Sequence, residues 1–552
     1  MSSSTASRRT SHLPETSLFS RPVHSMDPLH RALLSYEKAR AIGLSYRMTL
    51  DDVHNLTPKF WDMHSDPATA MDPAATTLLT IQYNLCAGTI ALYSKHRPEL
   101  VSLVDDLLRY RKHGQYMLTE IGHGLDISNI ETTATLLPSG EFLLHSPTPQ
   151  ASKFMPPTVP AGQPCNRGHR PFIVALNDGK KMCTGVTSKL LPFRDGAQPV
   201  THSITTFTNV RLSHSALLGS LDMPANLHDN LMHITSRICV GTVALGSIAI
   251  PFMELTRLSA RSTPSAPDRC MPILTFRTQQ IPLVGTVADV HVLRALHRSI
   301  VQQFCSERDA RVRRGLAAVF KSVMVQHSQQ DAMGISERCG AQGLFAHNQI
   351  IALTGMRGVA IAEGDILGLA IRLVNELLLD RYQLPKPADP NSLLARREAV
   401  LFSELRAAVA AAGGHRSKAA SRIVLPACQP AVEAIGHRMA YDAAVAQGVE
   451  PALIDLYVAN CVRLDPAFYV EHGLGRAAQQ AQAADAHDRV LPLLGELVRA
   501  MDVAEYVRAP IISDERWGAF VEGLTVYEGD AYVDAFDGHS RTEELEMEFA
   551  RL

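Results

Sequence analysis

Residues 115–135 read QYMLTEIGHGLDISNIETTAT, and this stretch marks the change from helical to β structure along the chain. Apolar residues recur with helical spacing before it, whereas short runs rich in threonine and isoleucine, which favour strands, follow it. Gly122 and Gly124 flank His123, and glycines there permit a sharp turn or a close approach of the backbone to a flat ligand. By itself, the G-H-G triplet is typical of a turn before a strand.

The composition is that of an ordinary globular protein. The 552 residues are 46% apolar and 20% charged, and the formal net charge is −2, so charge gives no reason to expect nucleic acid or an anionic membrane as a partner. Nine cysteines are spread singly, which indicates neither a disulfide framework nor a zinc site. The longest apolar stretch, residues 238–253, is broken by glycine, serine and proline and is predicted to be a buried helix rather than a membrane span.

The hydrophobic pattern predicts an α+β fold of several domains. Residues 1–28 are predicted to be a flexible tail, 29–113 a helical N-terminal domain and 114–219 a central β-domain. Residues 220–384 are predicted to form a four-helix bundle, and a linker at 385–392 leads to an additional C-terminal helical domain at 393–552.

Individual elements are predicted from spacing and turn residues. One N-terminal helix over residues 98–112 has an apolar face of Leu100, Val104, Leu107 and Leu108. Strands are expected over residues 141–146, 171–176 and 203–208, with a turn at Asn177, Asp178 and Gly179. The bundle helices are expected over residues 234–262, 279–312, 315–334 and 366–382.

The opening stretch resembles the T-E-L-G-H-G-S-N-x-x-x-L-E-T-T-A signature of the acyl-CoA oxidase family, within the acyl-CoA dehydrogenase superfamily. The matching residues are Thr119, Glu120, Gly122, His123, Gly124, Glu131, Thr132, Thr133 and Ala134. The domain order is also that of acyl-CoA oxidases, and YEGDAY at residues 527–532 resembles the family's Y-D-G-N-V-Y. The resemblance implies a β-domain that contacts FAD, with Thr119, Gly122 and Gly124 at the cofactor.

Glu363, in AEGDI at residues 362–366, is the candidate catalytic base. Desaturation of an acyl thioester requires a desolvated carboxylate that removes the weakly acidic α-proton. The family's base lies in a similar E-G-[DE/N] motif downstream of C-G-G-x-G-Y, and here Cys339, Gly340 and Gly343 precede Glu363 at a similar spacing. A glutamate that opens a helix is otherwise explained by the helix dipole, and Asp365 is expected to be such a first-turn charge.

Further cofactor contacts are implied by the same resemblance. Gly340 and Gly343 would let the backbone approach the flavin dinucleotide, and Arg261 would contact a phosphate. Thr278, Gln279 and Gln280 resemble the family's Q-T-Q-Q helix start, which helps to bind FAD across a subunit boundary. His123 has no partner histidine at ligand spacing, so no metal is expected and a structural role bonded to the backbone is predicted for it.

One loop departs from the family pattern. Where the family has K-W-W-P-G-G, this chain has KFMPP at residues 153–157. Pro156 and Pro157 have no amide hydrogen to offer a flavin atom, so a reshaped acyl pocket is expected there.

The resemblance implies a homodimeric FAD-dependent acyl-CoA oxidase. It would convert an acyl-CoA thioester to trans-2-enoyl-CoA and reduce O2 to H2O2, in fatty acid β-oxidation or in a specialised biosynthetic desaturation. An acyl-CoA dehydrogenase that passes electrons to an electron-transfer flavoprotein, and a non-catalytic partner subunit, are the alternatives. The final Ala550, Arg551 and Leu552 resemble the S-K-L peroxisomal address, while the Ser-, Thr- and Arg-rich N-terminus leaves a mitochondrial location as the weaker alternative.

Overall fold

The computed structural model describes residues 8–21, 23, 26–124, 126–155, 169–193, 198–259, 273–350 and 356–530. The N-terminal part is helical. Its helices are α1 (Ser17–Ser20), α2 (Pro28–Tyr46), α3 (Leu50–Asn55), α4 (Pro58–His64), α5 (Pro67–Met71), α6 (Pro73–Thr80), α7 (Gly88–Ser94) and α8 (Glu99–Leu108). A π-helical segment, Ile81–Ala87, joins α6 to α7.

Repeated Asp-Pro pairs set the starts of these helices. Asp27, Asp66 and Asp72 each accept hydrogen bonds from backbone amides of the first turn, and a proline follows each at the first helical position. Both features stabilise a helix start, because the side chain satisfies a free amide and proline has none to satisfy. In α8 the predicted apolar face is confirmed, since all four of its residues are buried.

The predicted flexible tail is wrong for residues 8–21. The Thr10 hydroxyl is buried and donates to Asp66 Oδ1 at 2.6 Å, and Leu13 and Phe19 belong to the main hydrophobic core. The serine- and threonine-rich composition predicted disorder because it shows neither these long-range partners nor the few apolar anchors.

Six short antiparallel strands form the described part of the β-domain. They are β1 (Thr133–Leu136), β2 (Phe142–His145), β3 (Lys153–Phe154), β4 (Val186–Leu190), β5 (Ser203–Phe207) and β6 (Val210–Leu212). One sheet has the order β1-β2-β6 and the other β3-β5-β4. The strands predicted over residues 141–146 and 203–208 are confirmed. So is the predicted turn, where the Asn177 side chain accepts from the Gly179 amide and Gly179 has a φ of 91°.

Residues 171–176, predicted as a strand, belong to neither sheet, although the Ile173 amide donates to the Ala216 carbonyl and the Leu218 amide donates to the Pro171 carbonyl. Phe172 makes an isolated bridge to Leu217, and the segment lines a large cavity instead of joining a sheet. The apolar residues alternate because one side of the segment faces a cavity. This pattern has the same two-residue period as a strand in a sheet, so the sequence alone does not distinguish the two.

The helices that follow form one extended bundle. They are α9 (Leu227–Ile234), α10 (Ser236–Ser247), α11 (Ala249–Ser259), α12 (Arg277–Ser306), α13 (Ala310–Arg338), α14 (Met356–Ile361) and α15 (Ile366–Leu378). The predicted helix at 234–262 is divided between α10 and α11. The helix predicted over 279–312 ends at Ser306, and Asp309 then caps α13.

The apolar stretch across α10 and α11 is a core element. Within the described part of the chain, Ser236–Leu255 is the one helical segment long and apolar enough to cross a membrane, with a mean hydropathy of 1.8. Of this segment, 89% is buried inside the protein, as predicted for a buried helix.

The C-terminal helices complete the same core. They are α16 (Leu393–Ala411), α17 (Lys418–Ala446), α18 (Pro451–Leu464), α19 (Pro466–Glu471), α20 (Arg476–Val490), α21 (Leu494–Met501) and α22 (Asp514–Glu522). Helix α17 packs against α12, α13, α15 and α16. Residues of α17 and α18 belong to one hydrophobic cluster with α10–α13, so the region after residue 393 packs as part of the bundle rather than on a separate core.

Candidate active site

Glu363 lies in a tight turn between α14 and α15, not in the first turn of a helix. Asp365 is the residue that caps α15, because its Oδ1 accepts from the Gly368 amide at 2.9 Å. The prediction that the helix opens at Glu363 is therefore wrong, and so is the prediction that Asp365 is a first-turn charge. Since Asp365 already caps the helix, the helix dipole does not account for Glu363.

The backbone of this turn is held in an uncommon conformation. Glu363 has a φ of 50° and Gly364 a φ of 105°. A non-glycine residue with positive φ costs about 1–3 kcal/mol and persists only where its surroundings fix the conformation. Lys321 supplies that restraint from α13, because its ammonium donates to the carbonyls of Ala362 at 2.5 Å and Gly364 at 2.6 Å. The Thr242 hydroxyl donates to the carbonyl of Glu363 itself at 2.7 Å.

The Glu363 carboxylate is fixed from two further directions. Asn84, in the π-helical segment, donates from Nδ2 to Glu363 Oε2 at 2.9 Å. On α10, a Cβ at Gly241 would lie 1.3 Å from the same oxygen, so the carboxylate occupies the space that any side chain at position 241 would need. π-Helical segments are rare and are found most often at functional sites.

Burial raises the pKa of Glu363 from its usual value to about 7. The positive charge of Lys321, the hydrogen bond from Asn84 and the charge of Arg237 oppose this rise. Burial also lowers the pKa of Lys321 to about 8, although the charges of Glu363 and Asp365 work against it. A carboxyl group with a pKa near neutrality is suited to accept a proton as a general base.

A cavity of about 1030 Å³ lies between the N-terminal helices and the β-domain. Apolar side chains dominate its walls, including Leu107, Met117 and Phe172. Tyr116 lines it, and the pKa of this phenol is raised by burial and then by the charges of Tyr93 and Glu363. Glu363 is not one of the lining residues, but Leu85, next to Asn84 in the π-helical segment, lines the cavity.

The T-E-I-G-H-G motif is built on a buried ion pair. Lys153 Nζ lies 2.8 Å from Glu120 Oε1, and both side chains are fully buried. Glu120 also accepts from the amides of Glu131 and Thr132, which ties the motif to the ETTA residues of the signature. The adjacent Thr119 carbonyl accepts from the Phe154 amide at 3.0 Å.

His123 has a different partner from the one predicted. Its Nε2 lies 3.1 Å from Glu131 Oε1, so the ring pairs with a carboxylate and not with the backbone. The contact is consistent with a structural role for His123, because it joins the G-H-G triplet to Glu131 of the ETTA residues.

The four candidate glycines fall into two groups. Gly124 and Gly340 have no atom within 4 Å of a hypothetical Cβ, so both have open space around them. In contrast, a Cβ at Gly122 would lie 2.9 Å from Gln150 Cβ, and one at Gly343 would lie 2.2 Å from the Ser336 carbonyl oxygen. Packing within the protein alone explains glycine at these two positions.

The other predicted cofactor residues lie at the start of α12. Thr278 is exposed, and Gln279 and Gln280 are partly buried, with the Gln280 side-chain amide donating to the Leu274 carbonyl at 2.7 Å. Arg261, Pro156 and Pro157 lie outside the described residues, as do the last three residues of the chain.

Several residues of this site were missed at the sequence level. Lys321 and Arg237 are buried charges within apolar helical runs, and that pattern is a usable signal because such charges need partners. Asn84 and Gly241 carry no local signal, because their role depends on contacts with a distant turn.

No protein-family model matches the sequence. Human peroxisomal acyl-coenzyme A oxidase 3 is 25% identical over 309 residues, which cover 47% of this chain and 44% of that protein. The chain thus aligns with about half the length of this relative.

Solved structures match from end to end. Arabidopsis thaliana acyl-CoA oxidase 1 superposes with a TM-score of 0.73 at 15% identity, over 98% of this chain and 94% of that chain. Caenorhabditis elegans acyl-CoA oxidase-2, bound with FAD, ascaroside-CoA and ATP, superposes with a TM-score of 0.66 at 17% sequence identity, over 97% of this chain and 98% of that chain. The chain has the fold of the acyl-CoA oxidases and is a divergent relative of them in sequence, as predicted.

Proposed function

We propose that this protein is an FAD-dependent acyl-CoA oxidase that converts an acyl-CoA thioester to trans-2-enoyl-CoA and reduces O2 to H2O2. The observation that carries the proposal is the Glu363 carboxylate, which is desolvated and held by residues from three parts of the chain. One of these parts, the π-helical segment that contains Asn84, also lines the apolar cavity.

In this reaction Glu363 removes the α-proton of the thioester. The turn orients the carboxylate before substrate binds. Lys321 and Thr242 fix the turn by hydrogen bonds to its backbone carbonyls. Asn84 stabilises the charged form of Glu363 through its side-chain amide. The apolar walls of the cavity hold the acyl chain and exclude water, which keeps the base desolvated.

The residues present fit a bound flavin. Gly124 and Gly340 leave open space for a ligand beside the backbone, and Thr119, Thr278, Gln279 and Gln280 would supply polar contacts. A bound FAD would supply the acceptor for the hydride from the β-carbon and the route of its electrons to molecular oxygen. Acyl-CoA oxidase-2 of C. elegans, which has the same fold, is bound with FAD and ascaroside-CoA.

An oxidase is favoured over a dehydrogenase by the C-terminal helices and by the relatives, which are named as acyl-CoA oxidases. A peroxisomal location is proposed because the human relative is named as a peroxisomal protein. A homodimer is proposed because Thr278 at the start of α12 is exposed, where a flavin shared between subunits would reach it.

The test is a flavin titration of the full-length protein. After reconstitution with FAD, anaerobic acyl-CoAs of different chain length should bleach the flavin absorbance, and air should restore it with one H2O2 per turnover. Bleaching that air restores slowly, but an electron-transfer flavoprotein restores rapidly, would identify a dehydrogenase. Failure to bind FAD at all would leave the non-catalytic partner subunit.

A further inference from the structure

A second polar cluster is buried within the helical bundle. His327 of α13, His437 of α17 and Cys461 of α18 are all buried, and one potential ligand atom from each lies within 4.8 Å of the other two. None of these residues belongs to the site around Glu363. Each comes from a different helix, which explains why the spacing of cysteines along the chain did not indicate a metal.

The hydrogen bonds around His327 leave one ring nitrogen available. Its Nδ1 lies 2.7 Å from Asp289 Oδ2, and Asn460 donates to the other oxygen of that carboxylate at 3.1 Å. Among the residues that the structure describes, the buried Nε2 of His327 has no hydrogen-bond partner. A carboxylate that orients one nitrogen while the other stays free is the usual arrangement behind a metal-binding histidine.

His437 is oriented in a similar way. Its Nε2 lies 3.0 Å from Gln326 Oε1, and the Gln326 amide donates to Glu433 at 2.8 Å. A proton on Nε2 that bonds to Gln326 leaves the lone pair on Nδ1. Both histidines therefore have an outer partner that fixes the ring and a nitrogen that can bind a cation.

The charges around the cluster also favour a cation. Asp289 is buried behind His327, and Asp331 lies one turn further along α13. Arg397, whose charge acts on His437 and Cys461, is already paired with Asp465. A divalent ion would add positive charge near the Asp289 carboxylate and would stabilise a Cys461 thiolate.

We propose that His327, His437 and Cys461 bind a divalent metal ion of the zinc class, with a water molecule as the fourth ligand. Two imidazole nitrogens and a thiolate are a donor set that suits zinc. Zinc lies about 2.0–2.3 Å from such ligand atoms, which places the ligand atoms roughly 3.5 Å from one another. Side-chain rotations that move these atoms by about 1 Å would therefore complete the site. The ion would join α13, α17 and α18 and so stabilise the packing of the C-terminal helices on the bundle.

The experiment uses Co²⁺ as the probe on the full-length protein with FAD bound. After removal of metal by a chelator, Co²⁺ should give a thiolate-to-cobalt charge-transfer absorption that saturates at one ion per chain, and protein as purified should retain about one equivalent of zinc. This absorption separates the cluster from surface histidines, which bind Co²⁺ without a thiolate. Cys461→Ser should abolish it, whereas Cys428→Ser should keep it, because Cys428 is a buried cysteine on α17 whose thiol bonds to the Val424 carbonyl.

Two results would overturn the site: no charge-transfer absorption at saturating Co²⁺, or an absorption that persists in Cys461→Ser. In either case His327 and Asp289 form an ordinary buried pair. If Cys461→Ser does not fold, His437→Gln tests the site instead, because this variant loses one proposed ligand and retains the Cys461 thiol. It should weaken Co²⁺ binding at least tenfold, and unchanged affinity would exclude His437 as a ligand.

Discussion

Asn84 donates a hydrogen bond to Glu363 across 279 residues of sequence. One residue belongs to a π-helical segment of the N-terminal domain and the other to a turn of the bundle. The candidate base is therefore oriented by the packing of two domains, and its ionisation depends on that packing.

The first prediction concerns pH. Because Glu363 must be deprotonated to act as a base, kcat/KM should rise with pH through about 7, the pKa of this carboxyl in the folded protein. Asn84→Ala removes a hydrogen bond that lowers this pKa, so the acid limb should move up by about one unit, equivalent to about 1.4 kcal/mol. Asn55→Ala, which removes a hydrogen bond to Asp51 on an exposed helix, is the control and should leave the profile in place. An unchanged pH profile in Asn84→Ala would show that the group that controls kcat/KM is not the carboxyl that Asn84 contacts.

A second prediction concerns the space beside the carboxylate. Gly241→Ala would place a methyl group 1.3 Å from Glu363 Oε2, which forces the carboxylate to move. A displacement of about 1 Å can cost about 100-fold in rate, so the rate of flavin reduction should fall by that order while FAD remains bound. Gly334→Ala is the matched control in a helix, because its new methyl group would lie 3.7 Å from the nearest atom. Equal rates in both variants would contradict the placement of Glu363.

A third prediction concerns the strained turn. Lys321→Met keeps the volume but leaves the carbonyls of Ala362 and Gly364 without their donor, so unfolding free energy should fall by about 1–3 kcal/mol. Loss of the positive charge should also raise the pKa of Glu363 further, which moves the acid limb of kcat/KM to higher pH. Urea unfolding and the pH profile measure the two effects. The control is Lys418→Met, because Lys418 is exposed. If Lys321→Met changed the unfolding free energy and the pH profile no more than this control does, the turn would not depend on Lys321.

A fourth prediction concerns the buried pair of the signature. Lys153→Met leaves the Glu120 carboxylate buried without its cation, which should cost about 3–5 kcal/mol in thermal or urea unfolding. The exposed pair of Arg211 and Glu141 in the same domain is the control, and Arg211→Met should cost less than about 1 kcal/mol. Similar losses in the two variants would contradict the role of Lys153 and Glu120 as a stabilising buried ion pair.

Local patterns predicted most of the fold and one half of the site. Helix α8, strands β2 and β5 and the turn at Asn177 follow from spacing and turn chemistry, and Glu363 stands out through its motif. Asp365 was misread because two acids separated by one glycine both suit a helix start, and sequence alone does not say which of them caps it. Asn84, Gly241 and Lys321 were missed because their role exists only once three distant segments pack around one turn.

The most direct test of the account is the rate of anaerobic flavin reduction by an acyl-CoA substrate in the native protein and in Glu363→Gln. The amide retains the shape and the hydrogen bond to Asn84 but cannot accept the α-proton. The account predicts that the variant binds FAD and substrate normally and reduces the flavin about 100- to 10,000-fold more slowly. Reduction at the native rate would show that another group removes the proton, and would contradict the assignment of Glu363 as the base.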